Sequence, residues 1–265
     1  MRQMAGSLRN LVGQMIVVPD DAQCPVCGYF DITHPDLRRL VEERDGPRAA
    51  NTFLEAQCKC KSIQDKRKRD EQLRWTSANL PHQQVPKVFT NFTVTQETEE
   101  ACTLSKSFAR LEGKPFLIFL GQTGSGKSHL LEAIAREVLS TTKATVRYDT
   151  TSGFLDRLRD TYQDKSEQST AELLGWYQRR TVVLLDDLGV EKNSDWVIER
   201  LTEFIDERLR SGWRTAIATN LVREEVAQRM GERLASRLFQ TREELGEVRR
   251  ITLRARDYRQ QPRSR

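Results

Sequence analysis

Gly121-Gln122-Thr123-Gly124-Ser125-Gly126-Lys127-Ser128 fills every fixed position of the pattern G-x-x-x-x-G-K-[ST], and its flanks decide the fold. Before it runs the short apolar segment Phe116-Leu-Ile-Phe-Leu120. After it, Lys127 to Leu139 sets Leu130, Leu131, Ile134 and Val138 on one helical face. Strand, glycine loop and helix in that order predict a phosphate cradle. Glycines at 121, 124 and 126 permit backbone angles that turn successive N–H groups inward, and the helix start adds partial positive charge. Residues Gly121 to Ser128, with His129 behind them, are thus expected to bind a nucleotide such as ATP, Lys127 reaching the β- and γ-phosphates and Ser128 ligating Mg²⁺.

Further strand-like runs follow at Thr145–Asp149, Thr181–Leu185, Arg214–Thr219 and Val248–Leu253, separated by helix-length segments such as Ser194 to Arg210. Short buried strands joined by crossovers predict a parallel sheet covered on both faces, a three-layer α/β domain. The run Thr181-Val-Val-Leu-Leu185 ends in Asp186-Asp187. Two carboxylates at the end of a buried strand are costly to desolvate, and a cation is the natural compensation. Asp186 is expected to hold the Mg²⁺, and Asp187, on the other side of the strand, to orient or deprotonate the attacking water. Asn220, closing the strand Arg214–Thr219, either contacts the γ-phosphate or lytic water or forms an ordinary Asx turn. Arg233 and Arg237 fall one helical turn apart, either as a finger toward a neighbouring subunit's nucleotide or as solvated charges.

The chain has 265 residues and five cysteines, four of them in the pairs Cys24/Cys27 and Cys58/Cys60. Its 43 Lys and Arg exceed 38 Asp and Glu, for a net charge of +5, which favours partners with phosphate backbones. The apolar runs are far short of the ~20 residues a membrane helix needs, and the first residues lack a secretory pattern, so a cytoplasmic, reducing compartment is expected. There, Cys24-Pro-Val-Cys27-Gly28 with Cys58-Lys-Cys60 reads as a structural Zn²⁺ site. His34 is a substitute ligand, although a helix cap before Pro35 suits it better. Pro81, Pro86 and neighbouring polar residues mark a linker from Pro81 to Gly113, giving a small zinc-binding domain at 1–80 and an α/β domain at 81–265. The charge-dense stretch Lys59 to Arg74 is either a solvated tethering helix or a partner-facing arm.

From the phosphate loop through Leu185-Asp-Asp-Leu-Gly189, Ala218-Thr-Asn220 and Gly231-Glu-Arg-Leu-Ala-Ser-Arg237, the chain resembles AAA+ ATPases of the bacterial replicative helicase loader type, DnaC and DnaI. IstB-type transposition helper ATPases share that core. The resemblance covers residues 81 to 260, including Val88-Phe-Thr-Asn-Phe92, similar to the segment that packs near the adenine. It implies Asp187 in the place of the catalytic acid, Asn220 as sensor 1, and Arg237, with Arg233 as alternative, as the finger acting in trans. Asp stands at 187 where many relatives carry Glu, so slow ATP hydrolysis is implied. No helical lid is evident, which leaves a second sensor unassigned. The segment Phe154–Tyr162 is similar to the part of loaders that lines the channel of the oligomer, implying that Tyr162, Arg157 and Arg159 contact single-stranded DNA.

Together these imply an ATP-dependent homo-oligomer, with no membrane partner, that grips a hexameric replicative helicase and delivers it onto single-stranded DNA. The N-terminal module would dock on the helicase. The nearer rival is a transposition helper working with a transposase on duplex DNA. A small-molecule P-loop kinase and a nucleotide-gated adaptor with negligible turnover stand further off.

Overall fold

A computed structural model of the chain describes residues 60–161, 169–189, 195–239 and 248–254, together with Arg39, Glu42 and Glu43. The chain divides into two compact units, 1–72 and 73–265. The second contains a five-stranded sheet: β1 (Phe116–Gly121), β2 (Val146–Thr150), β3 (Val182–Leu188), β4 (Arg214–Thr219) and β5 (Val248–Leu253). All pairings are parallel and the spatial order is β2-β3-β4-β1-β5. Parallel strands cannot be joined by hairpins, so helices carry the crossovers. From Cys60 onward, the described helices are, in chain order, α1 (Cys60–Ser77), α2 (Glu99–Ala109), α3 (Lys127–Thr141), α4 (Thr151–Asp160), α5 (Thr170–Gln178), α6 (Asp195–Arg210), α7 (Arg223–Met230) and α8 (Glu232–Phe239). None of the described helices is long and apolar enough to cross a membrane.

Alternation along the strands splits the core into two layers. Phe116, Ile118, Val183, Leu185 and Ile217 face one side, where Phe154, Leu158, Leu201, Phe204 and Leu234 cover them. Leu117, Phe119, Val182, Leu184 and Ala216 face the other, against Phe108, Leu130, Leu131 and Ile134. These strands are apolar at successive positions because both faces are covered.

The stretch read as a linker from its prolines contains the helix α2. Ala101, Cys102, Ser105, Phe108 and Ala109 bury one of its faces, a period-of-3.6 signal that lies downstream of Pro81 and Pro86. The charged stretch after Cys60 is helical through Ser77, with Lys66 to Gln72 exposed. From Leu73 onward its residues belong to the α/β unit. There Arg74 caps the end of α3, donating to the carbonyls of Thr142 (2.7 Å) and Leu139 (3.1 Å). Cys24, Cys27, Cys58 and Tyr162 lie outside the described residues, and Cys60 opens α1.

Arg208 is the largest fully buried side chain among the described residues. Arg208 of α6 donates to the carbonyls of Tyr177, Gln178 and Arg180 at the end of α5, to the Arg214 carbonyl at 2.6 Å and to Thr215 Oγ1 at 2.7 Å. Burial lowers its pKa to about 9, so the guanidinium remains charged at neutral pH. It joins α5, α6 and β4 through carbonyls with which an apolar replacement cannot bond. Arg208→Ala is expected to leave a cavity and several orphaned acceptors, at a cost of about 3 kcal/mol or more in urea unfolding. A loss under about 1 kcal/mol would show that water or rearrangement replaces the staple.

Candidate nucleotide site

The C-terminal ends of β1, β3 and β4 meet at one edge of the sheet, where ligands of open α/β folds bind. Beyond β1, Gly124 and Gly126 adopt φ of 79° and 100°, a left-handed region that costs other residues strain. Gly126 caps α3, and a Cβ there would lie 2.9 Å from Phe92 Cε2. A Cβ at Gly121 would stand 2.4 Å from the Leu253 carbonyl oxygen. The loop therefore packs between β5 and the 88–92 segment with no room for side chains at these two points. Lys127 Nζ curls back to the carbonyls of Gly121 (2.7 Å) and Gln122 (2.9 Å), which hold the ammonium over the loop. Ser125 Oγ is buried and, among the described residues, meets no hydrogen-bond partner. A strand, a left-handed glycine loop, an open helix N-terminus and an orphaned buried hydroxyl suit a phosphate chain, so the residues fit the nucleotide the motif implies.

On β3 the ladder with β4 shifts between Leu185 and Leu188, a bulge that falls on the two carboxylates. The extra residue puts Leu188 on the same core face as Leu185. Asp187 takes φ of 54° and is exposed, whereas Asp186 is only 3% exposed. The two acids thus diverge through a bulge, not by simple strand alternation. Asp186 Oδ1 accepts from the Asp187 N–H at 3.0 Å, Oδ2 accepts from the Tyr148 hydroxyl at 2.7 Å, and its carbonyl accepts from Thr151 Oγ1. Such a carboxylate, fixed at the sheet edge that also carries the phosphate loop and half-buried Ser128, suits support of a divalent cation. Register places Thr219 beside Leu120 and Leu188, so Asn220, exposed at the end of β4, stands level with Gly121.

Arg233 and Arg237 on α8 converge on one carboxylate of α6: Asp206 accepts from Arg233 at 2.8 Å and from Arg237 at 2.6 Å. Asp206 is nearly enclosed, while the arginines are 74% and 45% exposed. On α4, Arg157 donates to Asp149, and Arg159 pairs with Asp156 and lies over the Trp196 ring.

Four side chains that organise this domain escaped the sequence reading: Tyr148, Asp149, Asp206 and Glu132. Glu132 is fully buried on α3 and accepts from Arg136 (2.8 and 2.9 Å) and from the Lys87 N–H, tying the 81–92 segment to the helix that starts the phosphate loop. Its i, i+4 spacing to Arg136 was a usable signal. The others become visible only when strands β2 and β3, or helices α6 and α8, are brought together.

These elements define a P-loop ATPase domain of the AAA+ class. The sequence profile of the bacterial DnaA ATPase domain matches residues 84–241, and the chain belongs to that family. It is 31% identical over 121 residues to the replicative helicase loader DnaC of Escherichia coli K12, a match covering 46% of this chain and 49% of that protein. The chain thus spans about half the length of the curated relatives it matches there. In fold it is similar to the crystal structure of the DnaC helicase loader (TM-score 0.54, 21% identity, 63% of this chain and 97% of the other). It is likewise similar to that of DnaI (TM-score 0.51, 18% identity, 64% and 89%). The α/β core has the same fold as DnaC and DnaI.

His129 anchors the 88–92 segment, its Nε2–H donating to the Val88 carbonyl at 3.0 Å and its ring meeting Phe92 edge-on. Burial lowers its pKa, opposed by the Val88 carbonyl; Lys87 lowers it further and Glu132 raises it. With the folded value below the unfolded 6.5, the unfolded chain binds the proton first on acidification. This stabilisation is therefore full above pH 6.5 and is lost as pH falls through the lowered folded value. Urea unfolding at pH 7.5 and 5.5 is expected to show a larger acid loss for the wild type than for His129→Asn; equal losses would remove His129 from the account.

Proposed function

We propose that this chain is an ATP-dependent loader that binds a hexameric replicative helicase and delivers it onto single-stranded DNA in the cytoplasm. The reading is supported above all by one observation: the phosphate loop, Asp186 and Asn220 share a sheet edge in a DnaA-family ATPase domain whose sequence is similar to DnaC. Backbone N–H groups of residues 121–128 and the Lys127 ammonium bind the β- and γ-phosphates. Ser128 and Asp186 hold Mg²⁺, which supplies charge neutralisation of the phosphates when bound. Asp187 orients the attacking water and draws its proton, Asn220 senses the γ-phosphate, and Arg237 reaches the nucleotide of a neighbouring copy. Asp187 is a short acid on a bulge, which favours slow turnover. Asp206 holds Arg233 and Arg237 together, engaging Arg237 through its Nε. Arg157, Arg159 and Tyr162 contact the single strand.

Residues 1–72 form the helicase-docking module, with Cys24, Cys27, Cys58 and Cys60 binding Zn²⁺, and the ATPase domain, expected from residue 81, takes in the chain from Leu73 onward. Metal analysis of the full chain is expected to give about one zinc per chain, and replacement of Cys24 and Cys27 by Ser to remove it. A folded, metal-free protein would overturn that assignment.

The loader reading is tested by mixing the full chain with its host's replicative helicase and ATP. Co-elution of the two, with Lys127→Ala losing at least about tenfold in ATP turnover, is the expected result. Capture of a transposase instead, on duplex DNA, would support the transposition helper. Undiminished turnover in Lys127→Ala would overturn the ATPase site itself.

A further inference from the structure

Tyr148 is paired with Leu184 across the β2–β3 ladder, and Thr150 with Asp186. Tyr148 and Asp186 are therefore diagonal neighbours on one face of the sheet, a separation that a long aromatic side chain spans. The phenol reaches Asp186 Oδ2 at 2.7 Å, and both residues are buried, 6% and 3% exposed. A phenol has one proton to donate, and here it goes to this carboxylate. With the Asp187 N–H on Oδ1, each carboxylate oxygen has its own donor, and the plane of the group is set.

The strand carrying Tyr148 is itself held. The Tyr148 N–H donates to the Ala78 carbonyl at 2.8 Å, and its carbonyl accepts from Asn79 Nδ2 at 3.1 Å. Asn79 adopts φ of 56° and its amide also reaches Asp149 at 2.6 Å. Asp149 is buried and further accepts from Arg147, Arg157 and Tyr177. The segment just after α1 thus clamps the edge of β2 directly behind the tyrosine.

We propose that Tyr148 is a positioning residue whose hydroxyl sets the Asp186 carboxylate in the orientation that supports the divalent cation on bound nucleotide. The inference rests on the ATP-site reading above. Partners that orient metal-supporting groups typically change metal affinity 10- to 100-fold when removed. A merely structural tyrosine would change stability and leave the cation dependence alone.

The test is binding of a fluorescent ATP analogue to the full chain, titrated with Mg²⁺ and repeated in EDTA. Tyr148→Phe is expected to raise the Mg²⁺ concentration for half of the metal-dependent gain in affinity about tenfold, with the affinity in EDTA unchanged. An unaltered Mg²⁺ midpoint in folded Tyr148→Phe would overturn the proposal. Should that variant fail to fold, Asn79→Ala decides by the same readout. It keeps the phenol but releases its strand, so a smaller shift in the same direction supports the proposal and no shift overturns it. Wild-type protein that binds no nucleotide in either condition would instead refute the ATP-site reading.

Discussion

A carboxylate at the end of a buried strand is expensive unless each of its oxygens has a partner, and the arrangement around Asp186 meets that constraint. The bulge after Leu185 delivers the Asp187 N–H to one oxygen, and β2 delivers the Tyr148 hydroxyl to the other. For Tyr148 to arrive, β2 must pair in a fixed register with β3, and its outer edge must be covered. Ala78 and Asn79 supply that cover. The position of the last turn of α1, the register of β2 and the geometry of the Asp186 carboxylate are thus one linked arrangement.

Asp149 solves a similar problem one residue further along β2. Two guanidinium groups, a phenol and an amide share its two oxygens, so a buried charge becomes a junction of β2, α4, α5 and the 77–79 turn. Arg208 is the mirror case, a buried cation satisfied by carbonyls at the C-terminus of α5, where the helix dipole favours positive charge. Both networks bind helices of one face to the sheet, and both give that face a specific geometry that apolar packing alone would leave degenerate. On the opposite face, Glu132 and His129 fix the 81–92 segment to α3, bringing Phe92 against Gly126. The phosphate loop is consequently held from β5 on one side and from Phe92 on the other.

The α8 arginines show how tertiary contact alters the meaning of a sequence pattern. Arg233 and Arg237 share a helical face, as their spacing requires, yet that spacing leaves open whether they are solvated or directed. Asp206, nearly thirty positions earlier, makes both of them ion-paired within the subunit while leaving them exposed at the surface.

The sequence by itself determined the parallel α/β class, the strand–loop–helix of the phosphate cradle and the acid pair closing β3, because these depend on local periodicity, glycine conformations and the cost of desolvating charge. It missed α2, whose buried face lay beyond two prolines that read as a linker. It also placed Asp187 by strand alternation, which a bulge overrides. Only the tertiary structure decided that Tyr148 meets Asp186, that Asp149 joins four elements and that Asp206 gathers two arginines. Each of these is a polar contact between segments remote in sequence, formed because a buried or half-buried charge takes the nearest donor that the packed elements bring to it, and no local pattern encodes which donor that is.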